Sequence, residues 1–203
     1  MKKYLWIFFI LIIIIGVCIF AFNNNDNSKE SYTAEKTSIN NKNSIENIES
    51  EKVEEKISEF STRLPNDTKA RDDNIKLACK TINGAVVKSG ETFSFWDTLG
   101  CPTKEGGYEK AKTFTSNGEV TESYGGGVCQ ISTTIYNAVL KVEGLKVTER
   151  HEHSRDVPYI KDGKDAAVSY RSADLKFKNT LEYDIKIEAE VKDRKVKITL
   201  VRI

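Results

Sequence analysis

The chain has 203 residues, 39% of them apolar and 30% charged, with a formal net charge of +1 and four cysteines. No dense basic stripe interrupts that balance, which excludes a nucleic-acid binder. The charge is uneven: nine acidic residues face five basic ones between positions 23 and 60, and the rest of the chain is mildly basic.

Met1-Lys2-Lys3 precedes an apolar run from Tyr4 to Phe22 that carries no charge. At about 19 residues it is long enough to cross a bilayer core as a helix. A cleaved signal has a shorter core and a small-x-small site, and Ala21-Phe22-Asn23 does not provide one. Bulky Val17 before Cys18 argues against lipid attachment. The run is therefore expected to be a retained membrane anchor over 1–22. The lysines before it place the N-terminus in the cytoplasm and the remainder outside, in a single-pass cell-membrane topology. Residues 23–60 are rich in Asn, Ser, Lys and Glu, with too few large apolar residues to offset their ordering entropy. They read as a polar extracellular spacer, with Ile45, Ile48, Val53 and Ile57 marking a broken helical stripe over 44–60.

The folded domain is expected over 61–203, a length that suits one core. Ile75, Leu77, Ala78 and Ile82 mark a helix over 69–83, stopped at Asn83-Gly84. Val86-Val87 opens a strand, and Ser89-Gly90 is a turn before the aromatic cluster Phe93-Ser-Phe-Trp96. A hairpin over 112–122 turns at Asn117-Gly118. Val128, Ile131, Ile135, Val139 and Val142 then recur at helical spacing and give one buried face, ending at Gly144. Past it the period becomes two. Ile185, Ile187, Ala189 and Val191, a turn at Asp193-Arg194, and Val196, Ile198 and Leu200 form a C-terminal hairpin. Helices first and strands later give an α+β single domain, with the cysteine-bearing helix packed on an antiparallel sheet.

Three cysteines follow the anchor, and an odd number in an exported chain points to a working thiol. Cys79 and Cys101 leave open a disulfide or, for Cys79, a small buried side chain. Cys129 stands apart. It starts the strongest helix, directly after Gly125, Gly126 and Gly127, where free N–H groups and the helix dipole favour a thiolate and can stabilise an oxyanion. It also falls off the apolar stripe. The glycines let a ligand approach the backbone, and packing alone is a poor reason for three of them. A thiol nucleophile needs a base, and the only histidines are His151 and His153. On a strand both point to one face, with His151 read as the surface one and His153 as the base. The third, orienting group is Asp165 or Asp174; Asp156 is nearer but competes with Arg155. A cysteine at a helix start with a histidine downstream is the papain-like arrangement, by analogy of chemistry. A zinc site from Cys129, His151 and His153 matches no common spacing, and the glycines lack the Gly-Lys-Ser/Thr of a phosphate loop. No metal and no cofactor is expected.

The motifs Asn74-Ile-Lys-Leu-Ala78, Gly90-Glu-Thr-Phe-Ser-Phe95, Gly106-Gly-Tyr108, Gly125-Gly-Gly-Val-Cys-Gln-Ile-Ser-Thr-Thr-Ile-Tyr-Asn-Ala138, His153-Ser154, Asp165-Ala-Ala-Val168 and Asp174-Leu-Lys-Phe-Lys-Asn179 resemble the VanW-like family, across roughly 61–187. The resemblance implies an exported, cell-wall role. It further implies, on the pattern of some members, a peptidoglycan L,D-transpeptidase with Cys129 as nucleophile and His153 as base, acting on stem peptides. Gly125, Gly126, Gly127, Gln130 and Ser132 are the expected substrate-binding residues. The alternative is a non-catalytic cell-wall or glycopeptide-binding accessory protein that uses the Phe93–Trp96 aromatics and the glycines as a groove. Oligomeric state is open.

Overall fold

The C-terminal hairpin is where local chemistry and fold agree most directly. Strand β8 (Ile185–Lys192) and strand β9 (Lys195–Arg202) pair antiparallel from Lys192↔Lys195 outward. Asp193 and Arg194 between them both take positive φ, 49° and 55°, the backbone of a tight hairpin turn whose twist matches the strands. Ile185, Ile187, Val196, Ile198 and Leu200 are fully buried, as the period of two predicts. The computed structural model describes residues 54–115 and 117–203.

Around this hairpin lies a four-stranded antiparallel sheet in the order β1-β9-β8-β2, where β1 is Glu55–Arg63 and β2 is Ala85–Val87. Strand β1 corrects the sequence reading. Residues 55–60 are neither spacer nor helix but a sheet edge registered from Glu55↔Arg202 to Arg63↔Lys195. The physical reason is that its buried positions are hydroxyls. Ser58 donates to the Ala138 carbonyl at 2.6 Å and Thr62 shares a hydrogen bond with Thr134 at 2.8 Å, so no apolar alternation marks the strand. The fold therefore begins before the expected boundary at 61.

Helix α1 (Lys69–Ile82) is capped by Thr68, whose hydroxyl accepts from the Arg71 N–H, and it buries Ile75, Ala78, Cys79 and Ile82. Strand β3 (Thr92–Ser94) runs into the short helix α2 (Phe95–Leu99). The hairpin β4 (Lys110–Phe114) and β5 (Val120–Tyr124) forms its own two-stranded ribbon. Its loop is longer than the two residues expected, because pairing stops at Phe114↔Val120. Helix α3 (Cys129–Val139) packs across β1 and β9, which gives the expected cysteine helix on an antiparallel sheet. A second, three-stranded antiparallel sheet orders β3-β7-β6, with β6 at Leu145–Glu149 and β7 at Lys176–Asn179. The result is a mixed α/β domain with antiparallel sheets around one core.

The anchor expected over 1–22 and the spacer up to residue 53 lie outside the described residues. Among the described residues no helix is long and apolar enough to cross a membrane. Cys79, Cys101 and Cys129 are all free thiols.

Candidate active site

Helix α3 presents three faces, and each does a different job. Ile131, Ile135, Ala138 and Val139 are fully buried in the core. Gln130 and Thr134 face β1. The Gln130 side chain donates to Thr62 Oγ1 and the Arg63 carbonyl, each at 3.0 Å. Cys129, Ser132, Thr133 and Asn137, spaced three and four apart, share the remaining face, which holds the segment 164–168. Asn137 donates to the Lys164 carbonyl at 2.7 Å, and Ser132 to the Ala166 carbonyl at 2.6 Å. Thr133 Oγ1 accepts from the Ala166 N–H at 3.0 Å. The Cys129 thiol completes the row by donating to the Val168 carbonyl at 3.3 Å. Four polar side chains of one helix thus fix the backbone that carries Asp165.

Asp165 holds His153 twice. Its Oδ2 accepts from the His153 backbone N–H and meets the ring Nδ1, both at 2.6 Å. Arg150 grips the other side, donating from Nη2 to Oδ1 at 2.8 Å and from Nε to the Asp165 carbonyl at 2.7 Å. With Nδ1 engaged, Nε2 is the nitrogen left for the thiol. The His153 side chain is only 8% exposed. Burial opposes its charge, but the Cys129 sulfur, as hydrogen-bond partner and as charge, together with Asp165 outweighs that and raises the imidazole pKa. Burial likewise opposes the Asp165 charge, and the His153 N–H and ring overcome it and hold the carboxylate below its ordinary range. Cys129, His153 and Asp165 are therefore neighbours, residue types that covalent acyl transfer can use, with the thiol's own hydrogen bond directed at the Val168 carbonyl.

Several expected residues fall elsewhere. Asp174 does not join the site. Its carboxylate accepts from Ser94 Oγ at 2.5 Å and from the Trp96 N–H at 3.2 Å, tying β7 to the start of α2. His151 and His153 do not share a face, because the chain leaves β6 after Glu149 and keeps only an isolated bridge, His151↔Ala167. His151 stays exposed and pairs with Glu149 at 3.0 Å. Gln130 and Ser132 are fully buried and hydrogen-bonded within the fold, so neither faces a ligand.

The glycines are explained by packing after all. A Cβ on Gly126 would stand 2.5 Å from the Ala111 carbonyl oxygen, and one on Gly125 would stand 2.6 Å from Pro102. Gly127, at φ +109°, lies against the Arg71 and Ile75 side chains. They let α1, the β4–β5 hairpin and the helix start close on one another. The N–H groups of Gln130 and Ile131 turn back onto the carbonyls of Gly127 and Val128, whereas the Cys129 N–H takes no backbone acceptor.

Three neighbours had escaped the sequence reading: Arg150, Tyr159 and Arg71. Tyr159 stands edge-on to His153 with ring centroids 6.5 Å apart. Burial first, then the nearby Cys129 charge, pushes its phenol pKa up, so it stays a neutral donor. None belongs to a periodic pattern, and only the position of Arg71 just before Asn74-Ile-Lys-Leu-Ala78 hinted at it. A polar cavity of about 220 Å³ opens beside His153, lined in part by that residue, Arg155, Asp156, Lys161 and Asp165. Among the described residues no cluster of His, Cys, Asp and Glu has the makings of a metal site.

The family model described as VanW like protein matches residues 70–201, which contain every member of this constellation. The chain belongs to the VanW-like family. It is 38% identical over 136 residues to the uncharacterized protein YoaR of Bacillus subtilis (strain 168), covering 67% of this chain and 44% of that protein. It is 34% identical over 128 residues to the vancomycin B-type resistance protein VanW of Enterococcus faecalis (strain ATCC 700802 / V583), covering 61% of this chain and 46% of that protein. The VanW-like chain thus spans less than half the length of these relatives. No solved structure matches it.

Proposed function

We propose that this protein is a cell-surface cysteine enzyme of peptidoglycan, an L,D-transpeptidase working through a Cys129 thioester, held at the membrane by the apolar segment 1–22. The observation that carries the reading is the Cys129–His153–Asp165 series. Its chemistry is that of papain-like enzymes, with the nucleophile at a helix start and the imidazole fixed by a hydrogen bond to its second nitrogen. Membership of the VanW-like family and the name of the Enterococcus relative supply the cell-wall setting.

In the first half-reaction His153 Nε2 takes the thiol proton and the sulfur attacks a stem-peptide carbonyl. The carbon–sulfur bond forms, and the Cys129 N–H faces the developing oxyanion. The amide carbon–nitrogen bond then breaks as the imidazolium returns its proton to the leaving amine. In the second, the amine of another stem attacks the thioester, gives a proton to His153 and expels the Cys129 sulfur. Asp165 keeps the ring turned and stabilises its cation throughout.

The test is to compare muropeptides from cells expressing the wild type and Cys129→Ala, and to look for a covalent acyl adduct on the intact protein. Cross-links and an adduct that need Cys129 are expected; unchanged cross-linking in the variant sinks the reading. For the rival binding-module reading, Phe93, Phe95, Gly125 and Gly126 are buried, which leaves it the half-buried Trp96 and Gly127.

A further inference from the structure

Among the described residues, all sheet edges but one are protected. In the four-stranded sheet, edge strand β1 carries a bulge between Lys56 and Ser58, and edge strand β2 is three residues long. In the three-stranded sheet, β3 is three residues long and β6 carries a bulge between Val147 and Glu149. Short strands and bulges stop a foreign strand from pairing. The β4–β5 ribbon differs. Its strand β4 packs on helix α1, and Asn74 of that helix holds the N–H and the carbonyl of Glu109, each at 2.8 Å. Strand β5 is exposed along all five of its residues and has no bulge, proline or lysine.

The groups that β5 offers follow from its register. The Thr115 N–H donates to the Glu119 carbonyl at 3.0 Å. Antiparallel pairs alternate, so Thr113–Thr121 and Ala111–Ser123 also exchange hydrogen bonds. The N–H and C=O groups of Val120, Glu122 and Tyr124 therefore point outward. Their side chains share one face with Phe114, Lys112 and Lys110. That face gathers Phe114, Val120 and Tyr124, three of the six large apolar side chains exposed among the described residues. It is also cationic. Lys110 lies over Tyr124 at 5.7 Å and Arg155 over Phe114 at 4.8 Å, and Glu122 is the only acid of the two strands. Both ends of the ribbon adjoin the candidate site. β5 runs on through the glycines to Cys129, and at the tip Ser154, next to His153, donates to the Thr115 carbonyl at 3.2 Å.

We propose that the free edge of β5 is a docking site for a partner protein, which adds a short, extended, acidic segment to the ribbon as a third strand. Main-chain pairing supplies the affinity, and acidic side chains on the shared face meet Lys110, Lys112 and Arg155. A stable protein interface takes roughly 20–30 residues a side. An edge of five residues suits one peptide segment rather than a second copy of the domain. It also demands the regular N–H and C=O spacing of an L-polypeptide, which a stem peptide with D-centres does not keep. The docking site is thus distinct from the substrate of Cys129 and stands whether or not that reaction does.

The test follows amide hydrogen exchange on the intact protein, with acetyl-Thr-Glu-Val-Glu-Thr-amide as the probe. The N–H groups of Val120, Glu122 and Tyr124 should exchange more slowly with the probe present. A probe N-methylated on its strand-facing amides, or one with lysine in place of glutamate, should leave them unprotected. Glu122→Pro removes one outward N–H and no ladder bond. Probe affinity should then fall roughly tenfold, with Cys129 alkylation unchanged. No protection by the probe overturns the proposal, as does equal protection by the N-methylated or the lysine probe, and these arms need no variant. Unchanged affinity in a folded Glu122→Pro protein overturns it as well. Amides already slowed in the free protein, in a concentration-dependent way, put a second copy on the edge. Protection by a stem tetrapeptide and not by the probe returns the edge to the substrate. Either of those two results also overturns the proposal.

Discussion

Helix α3 sets two kinds of surface on separate faces. On one face Ile131 and Ile135 are fully buried among other apolar side chains. On another, Cys129, Ser132, Thr133 and Asn137 hold a polar segment by hydrogen bonds. The apolar face gains from removing surface from water, which is non-directional and tolerant of a shift. The polar face fixes atoms by direction and distance, which the proposed chemistry needs and hydrophobic contact alone does not deliver. The difference teaches that stability and chemistry are separable on one helix.

The sharpest way to break that separation is at Cys129, the proposed nucleophile. Cys129→Ala should remove the proposed thioester while moving the melting temperature by only a few degrees, because the thiol is half-buried and its hydrogen bond to the Val168 carbonyl is weak. Muropeptide analysis and calorimetry on the same preparation check both halves. Ile135→Ala should do the reverse. It should cost about 2–5 kcal/mol of stability, read from urea unfolding, with the remaining folded protein still alkylated at Cys129.

Thr133→Val lies between the two. It deletes the hydroxyl that accepts from the Ala166 N–H and keeps the shape. About 1–3 kcal/mol should be lost for the orphaned buried N–H. Activity should fall further than stability does, since Asp165 is the next residue along. A drop in activity no larger than the loss of folded protein would mean that the row of hydroxyls only braces the fold.

How much of this was legible in the sequence follows the same division. Ile131 and Ile135, or Ile185 through Leu200, announce themselves because apolar burial repeats with the period of its element. Cys129 and His153 drew attention because their residue types are rare in the chain. Strand β1 was not, because Ser58 and Thr62 are buried by hydrogen bonding to α3 and look like any polar stretch. Asp165 could not be chosen over Asp174 for a related reason. The choice depends on Thr133 and Ser132 placing residue 166, a long-range register with no local signature. The glycines misled in the opposite direction: Gly126 is small because Ala111 lies against it, not because a substrate does.

Proton linkage sharpens the comparison at its finest scale, between two histidines two residues apart. His153 has its pKa raised by Cys129 and Asp165 against the pull of burial; His151 is exposed and pairs with Glu149. Glu149 sits near pKa 2, held down by its hydrogen bonds to Lys176 first and His151 second. A raised imidazole pKa means that the folded state holds the proton more tightly than the unfolded chain. The contribution of His153 to stability is therefore fully present below its ordinary value of about 6.5 and is lost as pH rises through the higher folded-state value. Histidine proton shifts followed across a pH titration should show the His153 midpoint above 6.5 in the wild type. It should move down in Asp165→Asn, and down again when Cys129→Ala is added. His151→Gln should leave that midpoint, and Cys129 alkylation, unchanged. A His153 midpoint that ignores both substitutions would separate the imidazole from the thiol and the carboxylate, and the triad with them.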